Sequence, residues 1–255
     1  MLKIMMSMLI LGAGLHSMGQ EITFDKSASL EQVYMDTVAD EALLPMNDVG
    51  METGYLLYQT SFEVAAAQAN LILEHVRDYA AVYVDGKLQG TLTDARKSLV
   101  LNKLNGIHQL QIYVENIGRI TYGPEILDNA KGLFGEARLD GAALTDWVMI
   151  PLAIKKENLG DLRFDQDAKA AAPRFFKGSF SLQAVQDTYL DISGWGMGEV
   201  WINNSYLGTY WEQEKQQSLH IAAEDLVKGE NVLIVFELKD HPERTMKLAK
   251  DAVFK

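Results

Sequence analysis

The chain has 255 residues, of which 48% are hydrophobic, it contains no cysteine, and its formal net charge is −12. An acidic chain repels phosphate backbones and anionic membranes, which argues against nucleic-acid binding, whereas a neutral ligand such as a sugar is compatible with this charge. Because no disulfide can form, the hydrophobic core alone must stabilise one large or two ordinary domains.

Residues 1–19 have the layout of a secretory signal peptide. Lys3 precedes an apolar run at 4–15, and small residues including Gly19 follow, which predicts cleavage before Gln20. The apolar run is too short for a membrane-spanning helix. We therefore expect an exported protein, periplasmic or extracellular, without membrane insertion.

The rest of the chain is dominated by segments in which apolar and polar residues alternate, with turn residues between them. This pattern predicts an all-β fold. We expect a lead-in at 20–43, a first β-sandwich at 44–153, a connector rich in Lys, Asp and Ala at 154–172, and a second β-sandwich with a C-terminal tail at 173–255. Helical periodicity is confined to three short pieces, namely Ser29 to Thr37, Ala222 to Val227 and the tail after Pro242.

A weak internal duplication supports two similar sandwiches. With an offset of 118 residues, the sequence VYVDG at 82–86 falls on VWINN at 200–204. The pairs Asp85-Gly86 and Asn203-Asn204 then occupy the tight-turn positions of two equivalent hairpins, where positive φ is needed.

The most specific stretch, residues 187–211, reads DTYLDISGWGMGEVWINNSYLGTYW. With PRFFKGSFSL before it and GENVLIVFEL after it, it resembles the C-terminal jelly-roll region of family 35 β-galactosidases. The resemblance extends from about Leu44 to Leu238 and includes YLLYQTSF, RDYAAVYVDGKLQG and KGLFGEARLDG in the first half. It implies two tandem jelly-roll, galactose-binding-like β-sandwiches.

The resemblance does not extend to catalytic residues. In that family the two catalytic glutamates lie on a preceding (β/α)₈ barrel, for which this chain has no room. We interpret the acidic residues within the shared motifs as structural; they are Asp48, Glu52, Glu115, Asp146, Asp187, Asp191 and Glu237. The five histidines lack the spacing of a zinc site, so no cofactor is predicted, and a structural calcium is left open.

Aromatic residues provide the candidates for ligand binding, because the apolar face of a sugar stacks on aromatic rings. Trp195 and Trp201 are expected in the core or between domains, whereas Tyr210 and Trp211 at a strand end are expected at the surface. Tyr122 matches a tyrosine that in family members reaches the sugar pocket of the barrel, and its alternative role is a half-buried loop aromatic. The carbohydrate-binding candidates are Tyr210, Trp211, Asn203, Asn204 and Tyr122.

These features predict an exported, non-catalytic, β-galactosidase-like protein that binds a galactose-containing glycan or docks to a partner. The alternative is an accessory subunit that acts with a separately encoded catalytic barrel and contributes Tyr122 to its pocket. A decayed gene fragment without a selected role is the third interpretation.

Overall fold

A computed structural model of the chain describes residues 19–118, 123, 126–154, 159, 161–166, 171–239 and 245–255. Residues 1–18 of the predicted signal peptide lie outside this part. The strands, in chain order, are β1 (Glu21–Ser29), β2 (Val38–Asp40), β3 (Gly54–Val64), β4 (Gln68–Arg77), β5 (Tyr79–Val84), β6 (Lys87–Thr93), β7 (Ser98–Asn102), β8 (Gly106–Asn116), β9 (Gly132–Leu139), β10 (Ala142–Ala143), β11 (Trp147–Leu152), β12 (Arg174–Leu182), β13 (Thr188–Asp191), β14 (Met197–Ile202), β15 (Ser205–Trp211), β16 (Ser218–Ile221), β17 (Gly229–Glu237) and β18 (Thr245–Ala249). Two short 3₁₀ helices span Leu30–Val33 and Ala223–Asp225.

The first sandwich consists of a four-stranded sheet, β10-β9-β4-β7, and a six-stranded sheet, β2-β11-β3-β8-β5-β6. Its core lies between the two sheets and contains alternate residues of the central strands, such as Leu56, Leu71 and Val82. The intervening residues of β5 are also buried, so that all six residues of this strand are buried. A strand that is buried on both faces must pack against a further layer.

That further layer belongs to the second sandwich, which is one eight-stranded sheet in the order β15-β14-β17-β12-β1-β18-β13-β16. Strands from both ends of this order contribute to a single core, so the sheet doubles over on itself. The strand at the fold is β1. It pairs with β18 through Glu21–Thr23 and with β12 from Phe24 to Ser29, with a register shift between Phe24 and Lys26. A bulge of this kind lets one strand serve two packed sheets.

The result is a stack of four β-layers in which the two sandwiches share an aromatic interface. Tyr55 of β3 meets Phe236 of β17 with ring centroids 5.1 Å apart. The hydroxyl of Tyr83 on β5 donates a buried hydrogen bond of 2.6 Å to the carbonyl oxygen of Leu238. Trp201 of β14 is buried in the same cluster. The hydrophobic cluster therefore runs continuously from one sandwich into the other.

The all-β prediction is confirmed, and the predicted duplication is visible in the topology. The order β3-β8-β5-β6 of the first sandwich repeats as β12-β17-β14-β15 in the second. Both predicted tight turns have positive φ at each central residue, for example 49° at Asp85 and 48° at Asn203.

Three sequence-based expectations about the elements need correction. The first two predicted helical pieces contain only the 3₁₀ turns at Leu30–Val33 and Ala223–Asp225, and the tail forms β18 instead of a helix. In that tail Met246 and Leu248 alternate with Lys247, which is the period of a strand, and both apolar side chains enter the second core. The predicted lead-in also contains β1, so the second sandwich includes residues from before the first.

A candidate binding cleft between the two sandwiches

A cleft of about 300 Å³ lies where the two sandwiches meet at one end of their shared interface. Ligand pockets usually span about 300–1,000 Å³, so this cleft has room for a group of monosaccharide size. Its described lining comes from both domains: Asp78, Tyr79, Thr93, Glu115 and Ile117 of the first, and Met197, Thr209, Tyr210, Trp211 and Glu214 of the second.

The internal duplication explains which residues meet here. Tyr79 and Thr93 pair across β5 and β6, and Met197 and Trp211 pair across β14 and β15. The offset of 118 residues that aligns the two turns also places Tyr79 on Met197 and Thr93 on Trp211. Equivalent ends of two equivalent hairpins therefore face each other across the cleft.

Trp211 is the largest side chain in the cleft wall and is half-buried. Tyr79 packs against it edge-on, with ring centroids 5.5 Å apart and an interplanar angle of 75°. The indole Nε1 is buried and has no hydrogen-bond partner within the part of the chain that is described. The accessible part of the side chain is therefore carbon, which is the surface that an apolar sugar face contacts.

The wall from the first domain contains an ion pair between a buried lysine and a partly exposed aspartate. Lys131, whose side chain is almost fully buried, places its ammonium 2.6 and 2.7 Å from the two carboxylate oxygens of Asp78. Asp78 also accepts a hydrogen bond from the backbone N–H of Ile117. These contacts fix the carboxylate at the cleft, where it keeps capacity to accept a hydrogen bond from a ligand hydroxyl.

The wall from the second domain is fixed by Glu237, which is fully buried. One carboxylate oxygen accepts hydrogen bonds from the backbone N–H groups of Met197 and Lys239, at 3.1 and 2.7 Å. The other accepts from the N–H of Gly196 and the hydroxyl of Tyr210, at 2.9 and 3.0 Å. Burial raises the pKa of Glu237 to about 7, although these four donors favour the charged form and act in the opposite direction.

Gly196 and Gly198, which follow Trp195, lie where the backbone of β14 and its preceding turn closely approaches the end of β17. A Cβ on Gly198 would lie 1.8 Å from the carbonyl oxygen of Phe236. A Cβ on Gly196 would lie 2.8 Å from the Cβ of Lys239 and 2.9 Å from Glu237 Oε1. Only glycine permits strand β14 and the preceding turn to run this close to the end of β17.

Tyr210 was expected at the surface, and that expectation is wrong. Its side chain is only 5% exposed and lies in the core of the second sandwich. The strand does not fray at this point, because Gly198 and Met197 pair with Tyr210 and Trp211. The buried hydroxyl is satisfied by Glu237 and by the carbonyl oxygen of Phe236. Trp211 is half-buried and not fully exposed, since Tyr79 covers one side of it.

The other candidates lie elsewhere. Asn203 and Asn204 are at the turn of the β14–β15 hairpin, the length of β14 away from the cleft, which at about 3.3 Å per residue is roughly 20 Å. The amide of Asn203 is used within the fold, since its nitrogen donates to Asp225 and Asn231 and its oxygen accepts from Val232. Asn204 is exposed. Tyr122 lies outside the described residues, so the structure does not bring the five candidates together.

Sequence reasoning missed the first-domain wall. Asp78, Tyr79 and Lys131 lie in segments that carry the family resemblance, but those segments do not show that the three residues line a cleft. Only the extended duplication points to Tyr79 as the counterpart of Met197. Trp195 and Trp201 behave as expected: the first is in the core of the second sandwich and the second lies between the domains. Within the described ranges, no group of three or more His, Asp or Glu side chains is arranged to hold a metal ion. Those ranges also include no helix that is long and apolar enough to cross a membrane.

Comparison with known proteins agrees with this architecture. Residues 44–153 match the family model for the first all-β domain of β-galactosidase, and residues 173–231 match the model for its galactose-binding domain. A β-galactosidase of Xanthomonas manihotis is 33% identical over 198 residues, covering 77% of this chain and 33% of the relative. The human β-galactosidase-1-like protein 2 is 34% identical over 200 residues, covering 76% of this chain and 31% of its own length.

A solved structure of a Pleurotus ostreatus lectin in complex with GalNAc aligns over 92% of this chain and 82% of its own at 12% identity, with a TM-score of only 0.30. The sequence matches are the informative ones. They define the class of this molecule as a pair of β-galactosidase-type β domains, one of them of the galactose-binding type. The chain belongs to the β-galactosidase family, as its resemblance predicted, and it spans about a third of the length of the curated relatives that it matches.

Proposed function

We propose that the chain is a carbohydrate-binding protein and that a galactose residue of a glycan occupies the cleft between the sandwiches. The observation that carries this proposal is the composition of the cleft. The half-buried ring of Trp211 and the carboxylate of Asp78 line one space of about 300 Å³. A sugar needs both an apolar surface for its ring carbons and acceptors for its hydroxyl groups.

The expected affinity is modest. A monosaccharide has about 12 non-hydrogen atoms, and at about 0.3 kcal/mol per atom it gains about 4 kcal/mol, which corresponds to a Kd of about 1 mM. Titration of the mature chain with galactose and lactose, followed by NMR or calorimetry, measures this directly. The first expected result is saturable binding in this range that perturbs the indole N–H signal of Trp211.

A pair of variants on one hairpin locates the site. Trp211→Ala removes the stacking surface, and we expect about a fivefold or greater loss of affinity, because a stacking contact on an aromatic ring contributes about 1 kcal/mol or more. Asn204→Ala changes an exposed side chain at the opposite end of the same hairpin and should leave affinity unchanged. If Asn204→Ala weakens binding and Trp211→Ala does not, the sugar binds at the hairpin turn, and the assignment of the cleft as the sugar site is wrong.

Docking to a separately encoded catalytic barrel is the second candidate function. Its support is a set of exposed apolar side chains. Ile117, which lines the cleft, is 75% exposed, and Ile126 and Leu127 of a second segment are 41% and 96% exposed. Both segments are attached to adjacent residues of the first sandwich, because Asp128 pairs with Arg77 and the backbone N–H of Ile117 donates to Asp78. Exposed apolar surface of this kind is typical of a site that contacts another protein.

This docking is tested by mixing the chain with a family 35 barrel produced without its β domains. Association measured by analytical ultracentrifugation should weaken in Ile117→Asp. Ile107→Asp is the matched control, because Ile107 is equally exposed, at 75%, near the other end of β8. Equal effects of the two variants, or no association at all, would exclude docking through this patch.

Export is also a proposal, supported by the signal-peptide layout of residues 1–19. The mass of the protein recovered from the periplasm or medium of an expressing cell should correspond to a chain that begins at Gln20. Recovery of the uncleaved chain from the cytoplasm alone would contradict it.

A further inference from the structure

The described lining of the cleft combines aromatic rings with carboxyl groups and includes no cationic side chain. Three of its ten residues are acidic, namely Asp78, Glu115 and Glu214, and none is Lys, Arg or His. Trp211 and Tyr79 contribute aromatic rings. An ammonium group is attracted both by carboxylates and by the π-electrons of an aromatic ring, whereas an anionic ligand is repelled by carboxylates. This composition favours a ligand that carries a positive charge.

The three acidic residues differ in how far a ligand can reach them. Glu115 is only 7% exposed and accepts a hydrogen bond from the hydroxyl of Tyr55. Asp78 forms the ion pair with Lys131. Glu214 is exposed, and no residue in the described part of the chain forms an ion pair with its carboxylate. Glu214 is therefore the carboxylate with which a charged group of a ligand can pair.

The lysines on this side of the cleft do not occupy Glu214. Lys239 forms an ion pair with Glu212. The ammonium of Lys255 donates to the backbone carbonyl oxygen of Glu212. Both ammonium groups are thus held by the residue that follows Trp211, two positions before Glu214.

The backbone of Glu214 is fixed independently of its side chain. Its N–H donates to the carbonyl oxygen of Trp211 at 3.0 Å, and its own carbonyl oxygen accepts a hydrogen bond of 2.6 Å from Gln217 Nε2. A change of the side chain should therefore alter the charge of the cleft without moving the turn. We propose that Glu214 is the specificity-determining residue of the cleft, and that the cleft prefers a galactose ring bearing an ammonium group over a neutral or an acidic one.

This inference rests on the proposed sugar site, and four ligands with the same ring test it. Galactosamine carries the ammonium group, galactose is neutral, N-acetylgalactosamine keeps the nitrogen without the charge, and galacturonate carries a carboxylate. At about pH 6, where an alkyl amine is protonated, and at low ionic strength, we expect galactosamine to bind about fivefold more tightly than galactose, as for opposite charges about 4 Å apart in water. Galacturonate should bind most weakly, and added salt should reduce these differences.

Two variants locate the preference. Glu214→Gln keeps the size of the side chain and removes its charge, so the ratio of galactosamine to galactose affinity should fall toward one. Glu224→Gln is the matched control, because it removes the same charge from an exposed side chain of the 3₁₀ helix Ala223–Asp225. That helix contacts Asn203 at the far end of β14, so the ratio should stay as in the natural chain.

The outcomes separate the inference from the proposed function. Equal affinities for galactosamine and galactose, or an equal gain with N-acetylgalactosamine, overturn the inference and leave the sugar site in place. A ratio that falls equally in the two variants assigns the preference to the net charge of the chain and also overturns it. Ethanolamine bound as tightly as galactosamine shows that the ammonium group alone is recognised, which overturns the preference for a sugar. If none of the four sugars binds, the proposed function is wrong, and this inference with it.

Discussion

At the scale of single residues, glycine decides whether the two halves of the cleft wall can approach. Gly198→Ala would place a Cβ 1.8 Å from the carbonyl oxygen of Phe236, so β14 and β17 must separate. We expect a loss of about 3 kcal/mol or more in the free energy of unfolding, measured by urea denaturation. Gly86→Ala is the control: its Cβ meets nothing within 4 Å, and its positive φ costs only about 1–2 kcal/mol. Equal losses in the two variants would show that β14 and β17 separate at little cost, and that the close approach does not explain Gly198.

Glu237 gives a second prediction at this scale, which concerns the pH dependence of stability. Its pKa is about 7 in the folded chain, above the ordinary value of 4.5, so protonation favours folding. Its stabilising contribution is complete below about pH 4.5 and is lost as pH rises to about 7, and the difference of about 2.5 pH units corresponds to about 3 kcal/mol. Urea denaturation at several pH values should show this decline in the natural chain and not in Glu237→Gln. A decline of the same size in both would assign it to other groups.

At the residue scale, the sequence predicts which face of a strand a side chain occupies, because alternate residues of a strand face opposite sides. On β14, Trp201 faces the opposite side from Val200 and Ile202. Both faces of the strand are buried: Trp201 lies in the cluster between the domains, and Val200 and Ile202 lie in the core of the second sandwich. The prediction failed at Tyr210, because a buried acceptor such as Glu237 more than twenty residues away cannot be inferred from the strand itself. Once that acceptor exists, a tyrosine at a strand end can be buried with its hydroxyl satisfied.

At the scale of elements, β1 is the strand on which the second sandwich depends. It lies between β12 and β18, and its Ile22 and Phe24 side chains enter the second core, where Phe24 packs 5.0 Å from Trp195. A chain shortened to begin at residue 30 loses both side chains, at about 2–5 kcal/mol each, as well as two rows of hydrogen bonds. Once both terms are added, the loss is comparable to the whole margin of about 5–15 kcal/mol that keeps a domain folded.

The shortened chain should therefore show Trp195 in a solvent-like environment by fluorescence and lose the cooperative unfolding of the second sandwich. Addition of a peptide with the sequence of residues 19–29 should restore the buried signal. The control is the unshortened chain with Lys26→Ala, which keeps the strand and changes a side chain outside the core. Retention of a buried Trp195 without β1 would show that the strand is accessory.

The elements themselves were predictable and their assembly was only partly so. Alternating segments gave the strands, and the repeat gave the equivalent hairpins, because both are local patterns with a period of two. The membership of β1 in the second sandwich could not be predicted from local patterns, because the whole first domain separates β1 from its partner strands in the sequence. The cleft was missed for the same reason: one of its walls comes from each copy of the repeat.

At the scale of the whole molecule, we expect no hydrolysis of an aryl β-galactoside by the purified chain. A retaining glycosidase needs two carboxyl groups about 5–5.5 Å apart beside the sugar, one free to act as nucleophile and one as acid. In the cleft, Asp78 is bound to Lys131, and Glu115 accepts a hydrogen bond from Tyr55. Turnover that remains with the protein through purification and is abolished by Glu115→Gln would contradict this prediction.

The position of β1 also has a consequence for the order in which the chain folds. This strand is made early, but its neighbours β12 and β18 follow only after the first sandwich has been synthesised. At about 5–20 residues per second, β1 waits on the order of ten seconds or more with both edges unpaired. Such contacts between distant parts of a chain slow folding, and an unpaired strand is a site of aggregation. We therefore expect the second sandwich to complete its folding only after its last strand, β18, has been synthesised.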